Sequence, residues 1–229
     1  MAKPNAVERR WTSSYIELGA YWEHNGNPDR PHAILTSGKH SDGFFNSGIV
    51  LQDPWLTEQA LLDLLKLLEE AGLDIQEVDR VVGPAMGAIT LSNDLARVIA
   101  KTRQRFCYFS YAEKGEPTFY EGKKTWKFSR IGVEKGEKVL LVEDVWTTGE
   151  SINGVGDLVE ACGGIVLPYR AVLVARSGQT EHHGNKIVAL INRKLSSWAP
   201  HECPLCKQGS EAIKPKTPPE NWKRLTGEI

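Results

Sequence analysis

Glu143 and Asp144 stand side by side at the end of the aliphatic run Val139–Val142, and Thr147, Thr148, Gly149 and Ser151 follow closely. Two adjacent carboxylates at the end of an apolar segment cost desolvation unless a ligand uses them, and they suit a cation or a set of hydroxyls. The Thr/Thr/Gly/Ser turn offers hydroxyl donors and leads into 152–162, a segment of helical character. The first amides of a helix are unpaired and its dipole favours an anion, so such a turn is a natural phosphate cradle. A ligand carrying a sugar diol close to a phosphate satisfies both halves. A plain strand–turn–helix with a Thr or Ser cap accounts for the turn but leaves the acid pair unexplained.

Other residues could contribute to the same chemistry. Gly83-Pro-Ala-Met-Gly87-Ala88 lies between a short apolar stretch, 78–83, and a helical one, 89–101. Its backbone amides could bind an anion, and the plainer reading is a tight turn that needs glycine. From Ala112 to Arg130 the pattern dissolves into Glu113, Lys114, Gly115, Glu116, Pro117, Gly122, Lys123, Lys124, Lys127 and Arg130. That run reads as a mobile lid delivering cations on closure, or as a solvated hairpin. Arg176, after the strand-like run 165–175, could grip a carboxylate through two parallel hydrogen bonds or be an ordinary surface arginine. Near the end, Cys203-Pro-Leu-Cys206 is a single CxxC with His201 two residues before it. A zinc site with His201 as third ligand, a redox pair and two packed or free thiols all remain open.

The elements that must position these groups follow from periodicity. Val7, Trp11, Tyr15, Leu18 and Trp22 recur at helical spacing over 7–24, giving a hood helix or a helix packed on the core edge. Residues 33–46 read as a loop or hairpin, and 55–72 as a helix with Leu61, Leu64, Leu65 and Leu68 on one stripe and Gly72 as its stop. Strands are expected at 106–111, 165–175 and 186–191. Strands alternating with helices over 78–191 predict an α/β fold, a parallel sheet flanked by helices on both faces. Ligands in such sheets lie beyond the carboxyl ends of the strands, which places Gly83, Tyr111, Glu143 and Arg176 along one rim.

The remaining composition excludes rather than selects. With 229 residues, 41% hydrophobic and 25% charged, the chain can bury a full core. A formal net charge of -1 argues against bulk nucleic-acid attraction. No apolar run is long enough to span a bilayer, and the first residues, with Glu8, Arg9 and Arg10, do not read as a secretory signal. Four cysteines, with Cys107 and Cys162 expected inside core elements, do not make a disulfide framework. The expectation is a cytoplasmic protein without membrane or nucleic-acid partners, with a main domain over 1–200, including a hood from roughly 1–50 plus a C-terminal part, and a C-terminal tail with the CxxC over 201–229.

The thirteen residues Val139–Ser151 resemble the phosphoribosyl-diphosphate (PRPP) signature of type I phosphoribosyltransferases: a hydrophobic strand, two acids, two variable residues, then Thr-x-Gly-x-Ser/Thr. Leu35-Thr-Ser-Gly-Lys-His-Ser41, before the pair Phe44–Phe45, resembles the N-terminal segment of orotate phosphoribosyltransferases, and the order of segments from 33 to about 176 is also theirs. Many members carry lysine where Thr36 stands, Lys39 being offset, and some carry lysine where Met86 stands. Trp146 is bulkier than the usual aliphatic residue, and Glu150 is a carboxylate beside a phosphate site.

The resemblance implies a type I phosphoribosyltransferase fold with an N-terminal hood and a mobile loop. It implies Mg2+-dependent transfer of phosphoribosyl from PRPP to orotate, giving orotidine 5′-monophosphate and pyrophosphate. Glu143, Asp144 and Lys114 are the implied catalytic residues. The implied PRPP contacts are Glu143, Asp144, Thr147, Thr148, Gly149, Glu150 and Ser151, with Ala85, Met86 and Gly87 at the pyrophosphate. Orotate falls to Thr147, Arg176, Ser37 and Gly38. A homodimer whose loop contributes across the interface is also implied. A phosphoribosyltransferase for another base, a non-catalytic PRPP-binding regulator and an unrelated nucleotide-binding module are the alternatives.

Overall fold

The structure is a computed structural model that describes residues 5–115 and 125–227. In chain order its elements are α1 (Ala6–Glu17), β1 (Tyr21–Glu23), β2 (His32–Ile34), β3 (His40–Ser41), β4 (Gly43–Phe45), α2 (Gly48–Leu51), α3 (Pro54–Glu70), β5 (Arg80–Pro84), α4 (Ile89–Arg103) and β6 (Tyr108–Lys114). They continue with β7 (Trp126–Lys127), β8 (Lys138–Trp146), α5 (Glu150–Ala161), β9 (Ile165–Ala175), β10 (Glu181–His182), β11 (Asn185–Asn192), β12 (Ser197–Trp198), α6 (Pro204–Lys207), β13 (Ala212–Ile213) and α7 (Glu220–Thr226). The chain divides into two compact units, Met1–Trp11 with Leu51–Arg193 and Thr12–Val50 with Lys194–Ile229, the first cut falling inside α1. Among the described residues no helix is long and apolar enough to cross a membrane.

The larger unit is built on a seven-stranded sheet of order β10-β11-β9-β8-β5-β6-β7. The five inner strands run parallel, and β10 and β7 close the edges antiparallel. Val139, Leu140, Leu141 and Val142 of β8 are all fully buried. Because strand side chains alternate between faces, this means both faces are covered. Val139 and Leu141 join Ile152, Val155 and Val159 of α5 in one apolar cluster. The helix α3 buries Leu61, Leu64, Leu65 and Leu68, starts on Asp53, whose carboxylate accepts from the amides of Trp55 and Leu56, and stops at Gly72 with φ 105°. Arg80, buried in β5, donates to both Glu137 oxygens at 2.8 and 2.9 Å and to Ser110 Oγ at 2.9 Å. That clamp ties β5 to β6 and to the segment entering β8.

The smaller unit holds a two-stranded sheet, β1-β4, and a four-stranded one, β12-β3-β2-β13. Its core is modest: Trp22, Ala33, Ile213 and Leu225, with Phe44 and Trp222 packed against them. Arg30 donates to the Leu225 carbonyl at 2.8 Å, and the Trp222 indole to the Gly19 carbonyl at 3.0 Å.

Several expectations are corrected. The helix expected over 7–24 ends at Glu17, because Gly19 takes φ 64° and Tyr21–Glu23 pairs with β4, so Trp22 is a buried strand residue. The strand expected at 106–111 is shifted to Tyr108–Lys114. Cys107 is half-buried just before it, and Cys162 is exposed at the end of α5, so neither is a core residue. Near the end of the chain, β13 pairs in parallel with β2, and Lys194–Ile229 clusters with Thr12–Val50.

Candidate active site

The acid pair lies where the strand β8 runs out toward its turn. Glu143 and Asp144 are both partly buried near its carboxyl end. Burial pushes the Glu143 carboxyl up to about 8, the adjacent Asp144 adds to the shift, and the Lys114 ammonium opposes it. Lys114 ends β6 with its Nζ 6.0 Å from the ring centre of Trp126, its partner across β7. Trp126 in turn lies against Gly154 of α5, where a Cβ would come within 2.4 Å of the indole nitrogen. The stem of the basic excursion is thereby seated on the helix that follows the acid pair. Residues 116–124, among them Lys123 and Lys124, lie outside the described residues.

Two turns converge on these acids. Beyond β8, Gly149 caps α5 with φ 78° and no side-chain capping bond. A Cβ there would lie 2.3 Å from Trp146, which is fully buried beneath the turn. The unusual tryptophan therefore forms the floor of the cradle and makes glycine obligatory twice over, by backbone and by space. Thr147, Thr148 and Glu150 are exposed and Ser151 is partly buried. The Thr148 hydroxyl accepts from the Glu150 amide at 3.4 Å. Beyond β5, the parallel neighbour of β8, the Ala85–Met86 peptide is cis, Met86 is 80% exposed, and Ala88 starts α4 without a side-chain cap. A Cβ on Gly87 would stand 2.9 Å from Asp144 Oδ1, so the second turn abuts the carboxylate itself. Uncapped helix starts present N–H groups to an anion, and here two of them flank one acid pair.

Arg176 follows β9, and its amide donates to the Trp146 carbonyl at 3.1 Å. The residue is only 6% exposed, which removes the surface-arginine reading. Ser37 and Gly38 sit at the exposed tip of the β2–β3 turn in the smaller unit, Gly38 with φ 79°.

The chemistry at the end of the chain is different from the expectation. His201 is an exposed residue beside Glu202 and is not part of any cluster with the cysteines. Cys203 and Cys206 instead meet His32 and His40. Burial, with His40 and His24 adding to it, pushes the His32 imidazole down to about 4, so it is neutral at pH 7. No local spacing joins 32 and 40 to 203 and 206. His32 stands just before the expected hairpin over 33–46 and His40 within its polar turn, between Lys39 and Ser41.

The family model described as a phosphoribosyl transferase domain matches residues 58–205. An orotate phosphoribosyltransferase of Pelotomaculum thermopropionicum is 36% identical over 199 residues, covering 87% of this chain and 95% of that protein. One of Nitratiruptor sp. is 32% identical over 214 residues, covering 87% and 98%. The chain belongs to the orotate phosphoribosyltransferase family. Among solved structures, the orotate phosphoribosyltransferase of Aeropyrum pernix aligns with TM-score 0.53 at 23% identity over 78% of this chain and 91% of that one. The adenine phosphoribosyltransferase of Rhodothermus marinus aligns with TM-score 0.51 at 24% identity over 65% and 85%. Those two likenesses carry the fold, which serves more than one base. The acid pair and the two turns lie at the carboxyl ends of β8 and β5, the rim that the sheet rule assigns to ligands.

Proposed function

We propose that the chain is a Mg2+-dependent orotate phosphoribosyltransferase, joining PRPP and orotate into orotidine 5′-monophosphate and pyrophosphate. The observation that carries this reading is the convergence of both glycine turns on one acid pair, with Gly87 against the Asp144 carboxylate. Curated relatives of that name, matched over nearly their whole length, support orotate as the base.

Each group has a role that follows from its chemistry. Thr147, Thr148, Gly149 and Ser151 hold the 5′-phosphate at the start of α5, and the exposed Glu150 side chain points its charge to solvent. The backbone of Ala85, Met86 and Gly87 holds the pyrophosphate. Glu143 and Asp144 take the ribose hydroxyls, and the Asp144 carboxylate balances the positive charge that builds on the sugar as the anomeric bond breaks. The donors at this rim are hard carboxylate oxygens, which fit a magnesium ion arriving with PRPP. When bound, magnesium neutralises charge on the leaving pyrophosphate. Lys114 contributes a cation to the same end, and Thr147 and Arg176 orient the orotate. Ser37 and Gly38 are assigned to orotate on the resemblance. A homodimer and a cytoplasmic location belong to the same proposal.

Pyrophosphate release is the test. With PRPP and magnesium, turnover is expected with orotate and not with uracil, hypoxanthine, guanine, xanthine or adenine. Release with a purine instead sinks the assignment. One observation favours a second reading: exposed Met86 stands where some relatives carry lysine. PRPP binding without turnover on any base would identify a regulator built on this fold.

A further inference from the structure

We infer that the smaller unit is built around a structural zinc ion held by His32, His40, Cys203 and Cys206. The four ligand atoms all lie within 4.8 Å of one another. His32 Nε2 is 3.0 Å from His40 Nδ1 and 3.5 Å from each cysteine sulfur, and Cys206 Sγ is 3.2 Å from His40 Nδ1. Zinc bonds of about 2.0–2.1 Å to nitrogen and about 2.3 Å to sulfur put neighbouring ligands of a tetrahedron about 3.3–3.8 Å apart. Both His32–sulfur distances fall in that range, and the two distances to His40 Nδ1, 3.0 and 3.2 Å, lie just below it.

The surroundings orient the ligands as a metal site needs. The Ser210 hydroxyl donates its one proton to the Arg30 carbonyl at 2.6 Å. Its oxygen is therefore an acceptor for His32 Nδ1, 2.8 Å away. With the proton fixed on Nδ1, the lone pair of His32 sits on Nε2, the atom facing the two sulfurs and His40. His32 and Cys203 are fully buried and His40 nearly so. A buried set of two imidazoles and two thiols suits zinc rather than a hard cation. Four protein ligands fill the shell, so the ion is structural and leaves no position for substrate. Binding releases the two thiol protons and leaves two thiolates on one divalent cation.

The position of the cluster explains what the ion does. His32 and His40 lie on β2 and β3, strands of three and two residues, while Cys203 is the N-cap of α6, a helix of four, and Cys206 lies within it. Elements this short bury little apolar surface, and a metal cross-link between segments 171 residues apart supplies the missing constraint.

The full chain, purified without chelator and analysed by inductively coupled plasma mass spectrometry, is expected to carry about one zinc per chain. His40→Ala and Cys206→Ser should each lose it, and His201→Ala should keep it. Because a ligand variant can fail to fold, the wild type gives an independent reading. Chelation should lower Tm by about 5 °C or more, and Co2+ added back should give the thiolate-to-cobalt absorption of a tetrahedral site. Zinc-free protein with a Cys203–Cys206 disulfide overturns the inference, as does loss of the metal in His201→Ala. Metal content is read without turnover, so a failed orotate assay leaves this assignment standing.

Discussion

The rim of the larger unit and the His/Cys cluster of the smaller one assemble function in opposite ways. The rim takes its main acid pair and phosphate turn from thirteen consecutive residues, Val139–Ser151, and much of its binding capacity is backbone amides aimed by a strand and a helix. The cluster takes its ligands from positions 171 residues apart, and every donor is a side chain. A local strand–turn–helix fixes its own geometry, so the rim needs the rest of the unit mainly for support. The cluster has no geometry until β13 has paired with β2 and β12 with β3. Chemistry carried by backbone can be written in one stretch, whereas chemistry carried by side chains is spread through the chain and assembled by tertiary pairing.

The largest expected effect probes the rim's side-chain component. Asp144→Asn removes the charge proposed to stabilise the cationic sugar and is expected to cut kcat/KM about 10²–10³-fold. Its effect on stability should stay within about 1 kcal/mol, as measured by urea melts alongside turnover. An Asp144→Asn enzyme at full rate would strip the acid pair of its role and leave the rim as two anion-binding turns.

A second pair of substitutions compares the backbones of the two units. Gly149 and Gly38 have nearly the same dihedral, φ 78° and 79°, yet a Cβ on Gly149 meets Trp146 at 2.3 Å and one on Gly38 meets nothing within 4 Å. Gly38→Ala should cost about 1 kcal/mol, the left-handed backbone alone. Gly149→Ala should cost about 2–4 kcal/mol, because overpacking adds to the same strain. In a Trp146→Leu background the packing part should vanish and the Gly149→Ala cost fall toward that of Gly38→Ala. Equal costs in the wild-type background would show that Trp146 yields and is not a rigid floor.

What could be read in the sequence follows the same division. The inner strands β8 and β9, the helix α3 and the glycine turns were legible because apolar period, caps and turn chemistry are local. The end of α1 at Glu17 was not, since Trp22 keeps the helical spacing and only pairing with β4 claims it for a strand. Met86, Trp146 and Glu150 looked like departures from the signature. The structure makes Trp146 part of it, by packing under Gly149, and leaves Glu150 exposed. His201 was a plausible ligand by proximity and fails because a residue two positions from Cys203 faces solvent there. His32 and His40 carried no comparable local signal: each lies on a strand of two or three residues, and their meeting with the cysteines is tertiary.

The smallest expected effect tests whether Lys114 belongs to the rim at all. Burial and Asp144 outweigh Lys114 and push Glu143 from 4.5 up to about 8. The folded chain therefore keeps a proton that the unfolded chain releases near 4.5. The stability linked to it is present in full below that value and is lost as pH rises through about 8. Urea melts over this range should show wild type losing stability as pH rises, and Glu143→Gln should lack that falling limb. Asp144→Asn should move the limb to lower pH, because a neighbouring negative charge is gone. Lys114→Ala should move it to higher pH, since its ammonium favours the ionised carboxylate, with a stability change below about 1 kcal/mol. A limb unmoved in Lys114→Ala would separate that lysine from the acid pair and return the cationic role to another residue of the basic excursion.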